Sequence, residues 1–234
     1  MTATSVKTFP IIEIFGPVIQ GEGAMIGHQT HFVRLGGCDF RCAWCDTLYA
    51  VLPEEVRANS VSMSAGEIVD RLRELNPGTP WVTLSGGNPA LHQLDELIDM
   101  MNDAGFSIAV ETQGTLYKSW LERCDLVTVS PKPPSSTMTQ NLDQLARFTG
   151  LPGVNFKVVV FDDEDLAFAR LVHEAYPEIP FYLQVGNDLE NDNRDTLLQR
   201  LDWLSTAALK DSSLSRAIVL PQLHVLMYGN KRGV

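Results

Sequence analysis

Short apolar runs, most of them followed by a stretch with helical spacing, recur along most of the chain, and this alternation constrains the fold more than any other feature. The runs lie at Pro10–Phe15, His31–Leu35, Trp81–Leu84, Ser107–Glu111, Leu126–Ser130, Asn155–Phe161 and Phe181–Val185. Their continuous β-branched and aromatic character suits strands buried on both faces. Between them, Ser64-Ala65-Gly66-Glu67 is a capping box that opens a helix running to about Leu75. Leu94–Asn102 carries apolar residues at helical spacing and ends near Gly105. Asp162–Asp165 places acids at the start of LAFARLVHEAY, where they complement the helix dipole. Arg194–Ala208 is a further amphipathic stretch. Strand–helix alternation of this kind implies a parallel α/β fold. An open partial barrel and a doubly wound sheet both satisfy it, and in either the chemistry gathers at the C-terminal ends of the strands.

The chain has 234 residues and is 44% apolar, enough for one globular domain over 1–234. No run approaches the roughly 18 consecutive apolar residues of a membrane span. The start, MTATSVKTFPIIEIFG, lacks the charged and apolar regions of a secretory signal, so it reads as mature, cytoplasmic protein. A formal net charge of -11 argues against a nucleic-acid partner, which would require basic surface; plain solubility accounts for the acidic balance. PKPPSS at 131–136 reads as a loop rather than a domain linker.

Three of the four cysteines crowd into GGCDFRCAWCDT, Gly36 to Thr47, with the spacing C-x3-C-x2-C directly after the strand HFVRL. Clustering of this kind indicates metal rather than disulfide. Iron–sulfur cubanes are held by thiolates, normally four, one for each iron. Three close thiolates without an obvious fourth leave one iron open to a substrate or cofactor. A structural zinc site is the competing reading, but it wants four closed ligands, and neither His28 nor His31 completes a familiar spacing. Cys124 stands alone in ERCDLVTVS and reads as a small buried residue leading into a strand. Arg34 sits in an otherwise apolar strand and needs a partner, because a buried unpaired charge is costly.

At the cysteine segment the sequence resembles the radical S-adenosylmethionine (SAM) superfamily. FGPVIQGEG, FVRLGGCDFRCAWCDT, VTLSGGNPAL, VETQGT, VSPKPPSS, FYLQVGND and LPQLHVLMYGNKRGV, in that order, further resemble the 7-carboxy-7-deazaguanine synthases. The ordered set runs from near the N-terminus to the last residue. The resemblance implies a single radical SAM domain over 1–234, a modified, partly open (β/α) barrel of the α/β class, in a homodimer. It implies the conversion of 6-carboxy-5,6,7,8-tetrahydropterin to 7-carboxy-7-deazaguanine with release of ammonia, on the route to queuosine. A flavodoxin- or ferredoxin-like reductant would supply the electron.

The resemblance also implies roles for individual residues. Cys38, Cys42 and Cys45 would hold a [4Fe–4S] cluster whose open iron chelates SAM, and Thr47 would hold Mg²⁺, an ion that prefers oxygen donors. Ile19, Gln20 and Gly21, with Glu22 next to them, would recognise the pterin edge, which amide and carboxylate groups can pair. Arg34 would take the substrate carboxylate in bidentate geometry, with a structural salt bridge as the alternative. Ser85 would face substrate, and the chain end at Val234 would help hold it, with His224 nearby. Gly87, Glu111, Ser130, Pro131, Lys132 and the run Gln184, Val185, Gly186 and Asn187 would line the SAM site. Asn88 stands where the superfamily often has an acidic residue. Two rivals stay open from the residues alone. One is a radical SAM enzyme activating a glycyl-radical protein; the other is an iron–sulfur electron carrier or a zinc-stabilised binding module.

Overall fold

The computed structural model describes residues 6–76, 78–190 and 193–234, so the extreme start of the chain, read above as mature, lies outside the described residues. Among them, the strands form one sheet: β1 (Thr8–Ile19), β2 (Gln29–Leu35), β3 (Val61–Ser64), β4 (Trp81–Gly86), β5 (Ser107–Thr112), β6 (Leu126–Val129), β7 (Val154–Val160), β8 (Phe181–Val185) and β9 (Ile218–Leu220). Their spatial order is β3-β1-β2-β4-β5-β6-β7-β8-β9. From β2 onward every neighbouring pair is parallel. Those strands follow chain order without the reversal that a doubly wound sheet requires. Right-handed crossovers then place successive helices on one face and curl the sheet as in a (β/α) barrel. The sheet ends at β3 and β9, which do not pair, and the barrel is open.

Every apolar run of the sequence falls in a strand, but β1 departs from the expected burial on both faces. It pairs antiparallel with both β2 and β3, has no crossover helix, and is half exposed over much of its length. β7 meets the expectation fully, since all its residues are buried. β3 and β9 have no counterpart among the expected strands.

The helices are α1 (Leu48–Val51), α2 (Pro53–Asn59), α3 (Ala65–Leu75), α4 (Asp95–Asp103), α5 (Asp163–Ala175), α6 (Arg194–Lys210) and α7 (Leu223–Tyr228). The capping box at α3 is formed: Glu67 N donates to Ser64 Oγ at 3.3 Å and Ser64 N donates to Glu67 Oε2 at 2.7 Å. A cap of this kind contributes about 1 kcal/mol. Ile68, Val69 and Leu72 then turn into the core, each contributing roughly 1.5–3 kcal/mol on full burial. At α5, Asp162 caps the helix, but Asp165 does more than complement the dipole. It is buried and accepts from Phe161 N at 3.0 Å and Ser135 N at 2.9 Å, fixing the 131–136 loop above the strand ends. Among the described residues, no helix is long and apolar enough to cross a membrane.

Candidate active site

The segment after β2 turns at Gly37, whose φ of +101° an L side chain rarely adopts. Gly37 N donates to Ala50 O of α1 at 2.8 Å, and Asn88 N donates to Gly37 O at 2.8 Å from the turn after β4. That second turn comes so close that a Cβ on Gly87 would lie 2.0 Å from Gly37 O. The SGG glycine is therefore needed for backbone to approach backbone. The 131–136 loop braces the other side: Ala43 N donates to Ser136 O at 3.0 Å and Trp44 Nε1 to Ser135 Oγ at 2.9 Å.

This scaffold brings Cys38, Cys42 and Cys45 to one cavity as half-buried free thiols. Burial pushes the Cys42 thiol up to about 11, and the neighbouring thiols add to the rise while Lys132 opposes it. Cys45 is also raised, first by burial. Thiols this reluctant to ionise separately become thiolates when a metal centre takes up the charge, so loading releases protons. Among the described residues, no three His, Cys, Asp or Glu side chains converge as they would on a single ion. A closed zinc site takes four ligands, whereas three thiolates suit a cubane, in which each would hold a different iron. Cys124 is separate, 3% exposed, with its thiol donating to Trp120 O at 3.7 Å.

Asn88 is fully buried and outside the cavity lining. Its Nδ2 donates to Asp39 Oδ1 at 2.9 Å, and its Oδ1 accepts from Thr112 Oγ1 at 2.8 Å and Ala90 N at 3.1 Å. A carboxylate here would face Asp39 without a proton to donate. The amide thus serves the loop around the cysteines.

The cavity is about 400 Å³ and opens at the C-terminal ends of the parallel strands. Of the residues singled out by sequence, Ile19, Gln20, Gly21, Glu22, Arg34, Thr47, Ser85, Gly87, Glu111, Ser130, Lys132, Asn187, His224 and Val234 line it with the three cysteines. Pro131, Gln184, Val185 and Gly186 do not. Gln184 is fully buried, accepting from Gly23 N at 3.4 Å and donating to Pro221 O at 3.1 Å. Val185 belongs to the core. Gly186 lies behind Phe161, whose ring a Cβ would meet at 2.4 Å, and Pro131 is buried at the base of its loop.

Arg34 does have a salt bridge, and the bridge orients it. Its Nε donates to Glu13 Oε1 at 2.6 Å, an oxygen that also accepts from Tyr49 OH at 3.2 Å. The terminal guanidinium nitrogens have no hydrogen-bond partner among the described residues, and Arg34 lines the cavity. Burial works against its charge, but Tyr49, Glu13 and Asp46 raise its pKa overall. Glu13 also draws in the chain end, with Arg232 Nε donating to Glu13 Oε2 at 2.8 Å and its guanidinium 3.9 Å from the Tyr49 ring centre. Asn187 Nδ2 donates to Asn230 Oδ1 at 2.8 Å. Residues 229–234 thereby line the cavity.

Opposite lies a buried ion cluster. Lys157 Nζ donates to Glu22 Oε2 at 2.6 Å and to Glu111 Oε2 at 3.2 Å. Burial alone would raise the Glu22 carboxyl, but Lys157, with His224 and Gln222, holds it down at about 2. Gly21 admits His224: a Cβ there would sit 2.2 Å from His224 Nδ1, and Leu223 N donates to Gly21 O at 2.9 Å. Ser85 Oγ, Asn187 Oδ1 and Gln222 Oε1 are buried without partners among the described residues, and all three residues line the cavity. Buried polar atoms are rarely left unpaired, so the cavity is furnished for a polar ligand.

Glu13, Lys157, Gln222 and Arg232 were not singled out by sequence. Lys157 carried a usable signal, since it is the lone cation in VNFKVVV, as Arg34 is in HFVRL.

The radical SAM superfamily model matches residues 32–160. The 7-carboxy-7-deazaguanine synthase of Bacillus subtilis (strain 168) is 45% identical over 97% of this chain and 99% of its own length. That of Bacillus cereus is 41% identical over 96% and 98%. Among solved structures, QueE from Escherichia coli superposes with a TM-score of 0.70 at 24% identity, covering 93% of this chain and 95% of that one, a likeness of fold. With matches of this length and identity, on a partly open (β/α) barrel, the chain belongs to the 7-carboxy-7-deazaguanine synthase family of the radical SAM superfamily.

Proposed function

We propose that the cavity binds 6-carboxy-5,6,7,8-tetrahydropterin against SAM and a [4Fe–4S] cluster, and converts it to 7-carboxy-7-deazaguanine and ammonia. The observation that carries this reading is Arg34. Glu13 grips it by Nε, the terminal nitrogens have no hydrogen-bond partner among the described residues, and Arg34 lines the same cavity as the three thiols. A planar carboxylate is the partner such a fork accepts.

Cys38, Cys42 and Cys45 fit the cluster, and Lys132 offsets the negative charge of their thiolates. When bound, cluster and SAM supply one-electron cleavage of SAM and reversible hydrogen abstraction from the pterin C6. Glu22, ionised and facing the cavity, accepts from the N–H donors of the pterin edge. Ser85 Oγ and Asn187 Oδ1 are further partners for polar ligand atoms. Glu111, Gly87, Ser130, Lys132 and Asn187 flank the nucleoside space. Thr47 Oγ1, 3.2 Å from Asp46 Oδ1, offers oxygen donors for Mg²⁺ beside the cysteines. The substrate and product differ by ammonia alone, so the reaction is redox-neutral and the protein's work is positioning and exclusion of water. The resemblance also supports a homodimer and a flavodoxin- or ferredoxin-like reductant in the cytoplasm. The tail held by Arg232 and Asn230 supports a role for Val234 at the substrate.

The test is anaerobic incubation of reconstituted protein with 6-carboxytetrahydropterin, SAM, reductant and Mg²⁺, read by mass spectrometry. Deazaguanine acid and ammonia in equal amounts are expected. Cleavage of SAM with the pterin left intact overturns the assignment and favours a protein substrate.

A further inference from the structure

Lys157 has no role in the account drawn from the family. It lies in a strand whose every residue is buried and is itself 2% exposed. Its ammonium binds one oxygen of Glu22 and one of Glu111, at 2.6 and 3.2 Å. The remaining oxygens are held by neutral amides: Gln222 Nε2 donates to Glu22 Oε1 at 2.8 Å, and Gln20 Nε2 to Glu111 Oε1 at 3.5 Å. Both carboxylates line the cavity. An ionised carboxylate can accept about four hydrogen bonds and donates none, so each keeps acceptor capacity for a ligand. Without a cation between them the two carboxylates would repel, and burial would favour a proton on Glu22.

We infer that Lys157 is a positioning residue that keeps Glu22 ionised beside the second carboxylate, Glu111, so that Glu22 presents an acceptor-only face selecting the N–H-rich amino-pyrimidinone edge of the substrate while Glu111 stays turned to the nucleoside space. The inference rests on the pterin reading above. A proton on Glu22 would set a donor against the ligand's donors and weaken binding. Around this cluster, His224 of α7 is the other titratable group that faces Glu22. Gln20 after β1, Gln222 before α7 and Thr128 of β6 contribute neutral atoms.

The experiment measures equilibrium binding of 6-carboxytetrahydropterin, without reductant, to reconstituted wild type, K157M, K157R and K157M/E111Q. The pH runs from about 6 to about 9, the range into which a buried unpaired carboxyl moves. K157M is expected to bind about tenfold more weakly than wild type at the acid end, the scale of one mispaired buried hydrogen bond, and to regain affinity as pH rises. K157R should recover the wild-type profile. K157M/E111Q, which removes the repelling neighbour along with the lysine, should lie between K157M and wild type at the acid end. Wild-type affinity and profile in K157M overturn the inference, and so does a loss that is equal at every pH, which marks a merely structural lysine. Wild type without affinity for the pterin refutes the substrate reading instead. If K157M fails to fold, a folded K157M/E111Q supports the inference and an unfolded one overturns it.

Discussion

Replacing Gly87 by alanine tests whether the turn after β4 builds the cysteine loop. The added Cβ would sit 2.0 Å from Gly37 O and 2.9 Å from Cys38 N, both backbone atoms that cannot swing aside. The two turns must separate, which puts the bonds Gly87 N to Leu35 O (3.1 Å) and Asn88 N to Gly37 O (2.8 Å) at risk. Each such bond contributes about 0.5–1.5 kcal/mol, and overpacking costs about 1–3 kcal/mol. Together they make a loss of about 2–6 kcal/mol. For a chain of this length that lowers the melting temperature by at least about 4 °C. Iron bound after anaerobic reconstitution should fall as well, because the displaced atoms adjoin Cys38. Gly66→Ala is the control. A Cβ there meets only Met100 Cε at 3.8 Å inside α3, so it should stabilise by about 0.4–1 kcal/mol and leave iron loading unchanged. A Gly87→Ala protein that melts with wild type and takes up the same iron refutes the reasoning.

Arg34→Lys keeps a charge but loses the planar fork, so KM for the pterin should rise by about tenfold or more with iron content unchanged; an unchanged KM contradicts the assigned carboxylate partner. The Glu22 carboxyl is held at about 2 in the fold against an ordinary 4.5. Its stabilisation is therefore complete above the ordinary value and lost as pH falls through that window, so acid melting curves should drop less in Glu22→Gln than in wild type. Cys42→Ala should abolish cluster loading, whereas Cys124→Ala should cost about 1 kcal/mol of stability and load iron normally, as iron and sulfide analysis will show. Extra residues after Val234 should depress turnover at normal iron content, and undiminished turnover contradicts the proposed use of the chain end.

Strands with strong burial were legible in the sequence because an apolar run has one stable destination in an α/β fold. β7 and β5 are the clearest cases. β3 was not legible: VSMS is a short edge strand, exposed or half-buried throughout, with no apolar period to read. β9 and α7 share the run AIVLPQLHVLMYG, where only the chain's path at Pro221 and Gln222 separates strand from helix. At the site, the cysteine spacing and Arg34 stood out because each breaks its local pattern. Glu13 did not, since an acid in a half-exposed strand needs no partner until β1 is laid beside β2. Gln184 and Asn187 show the limit of motif transfer. They are three residues apart, yet one is tied to Pro221 O behind the wall while the other faces the cavity.

The most direct measurement is Mössbauer spectroscopy of anaerobic, iron-57-reconstituted protein with and without SAM. With three thiolates for the cubane, one iron should change its spectrum when SAM is added while the other irons keep theirs. A centre whose irons all ignore SAM, or a protein that takes up zinc and assembles no cluster, would contradict the account.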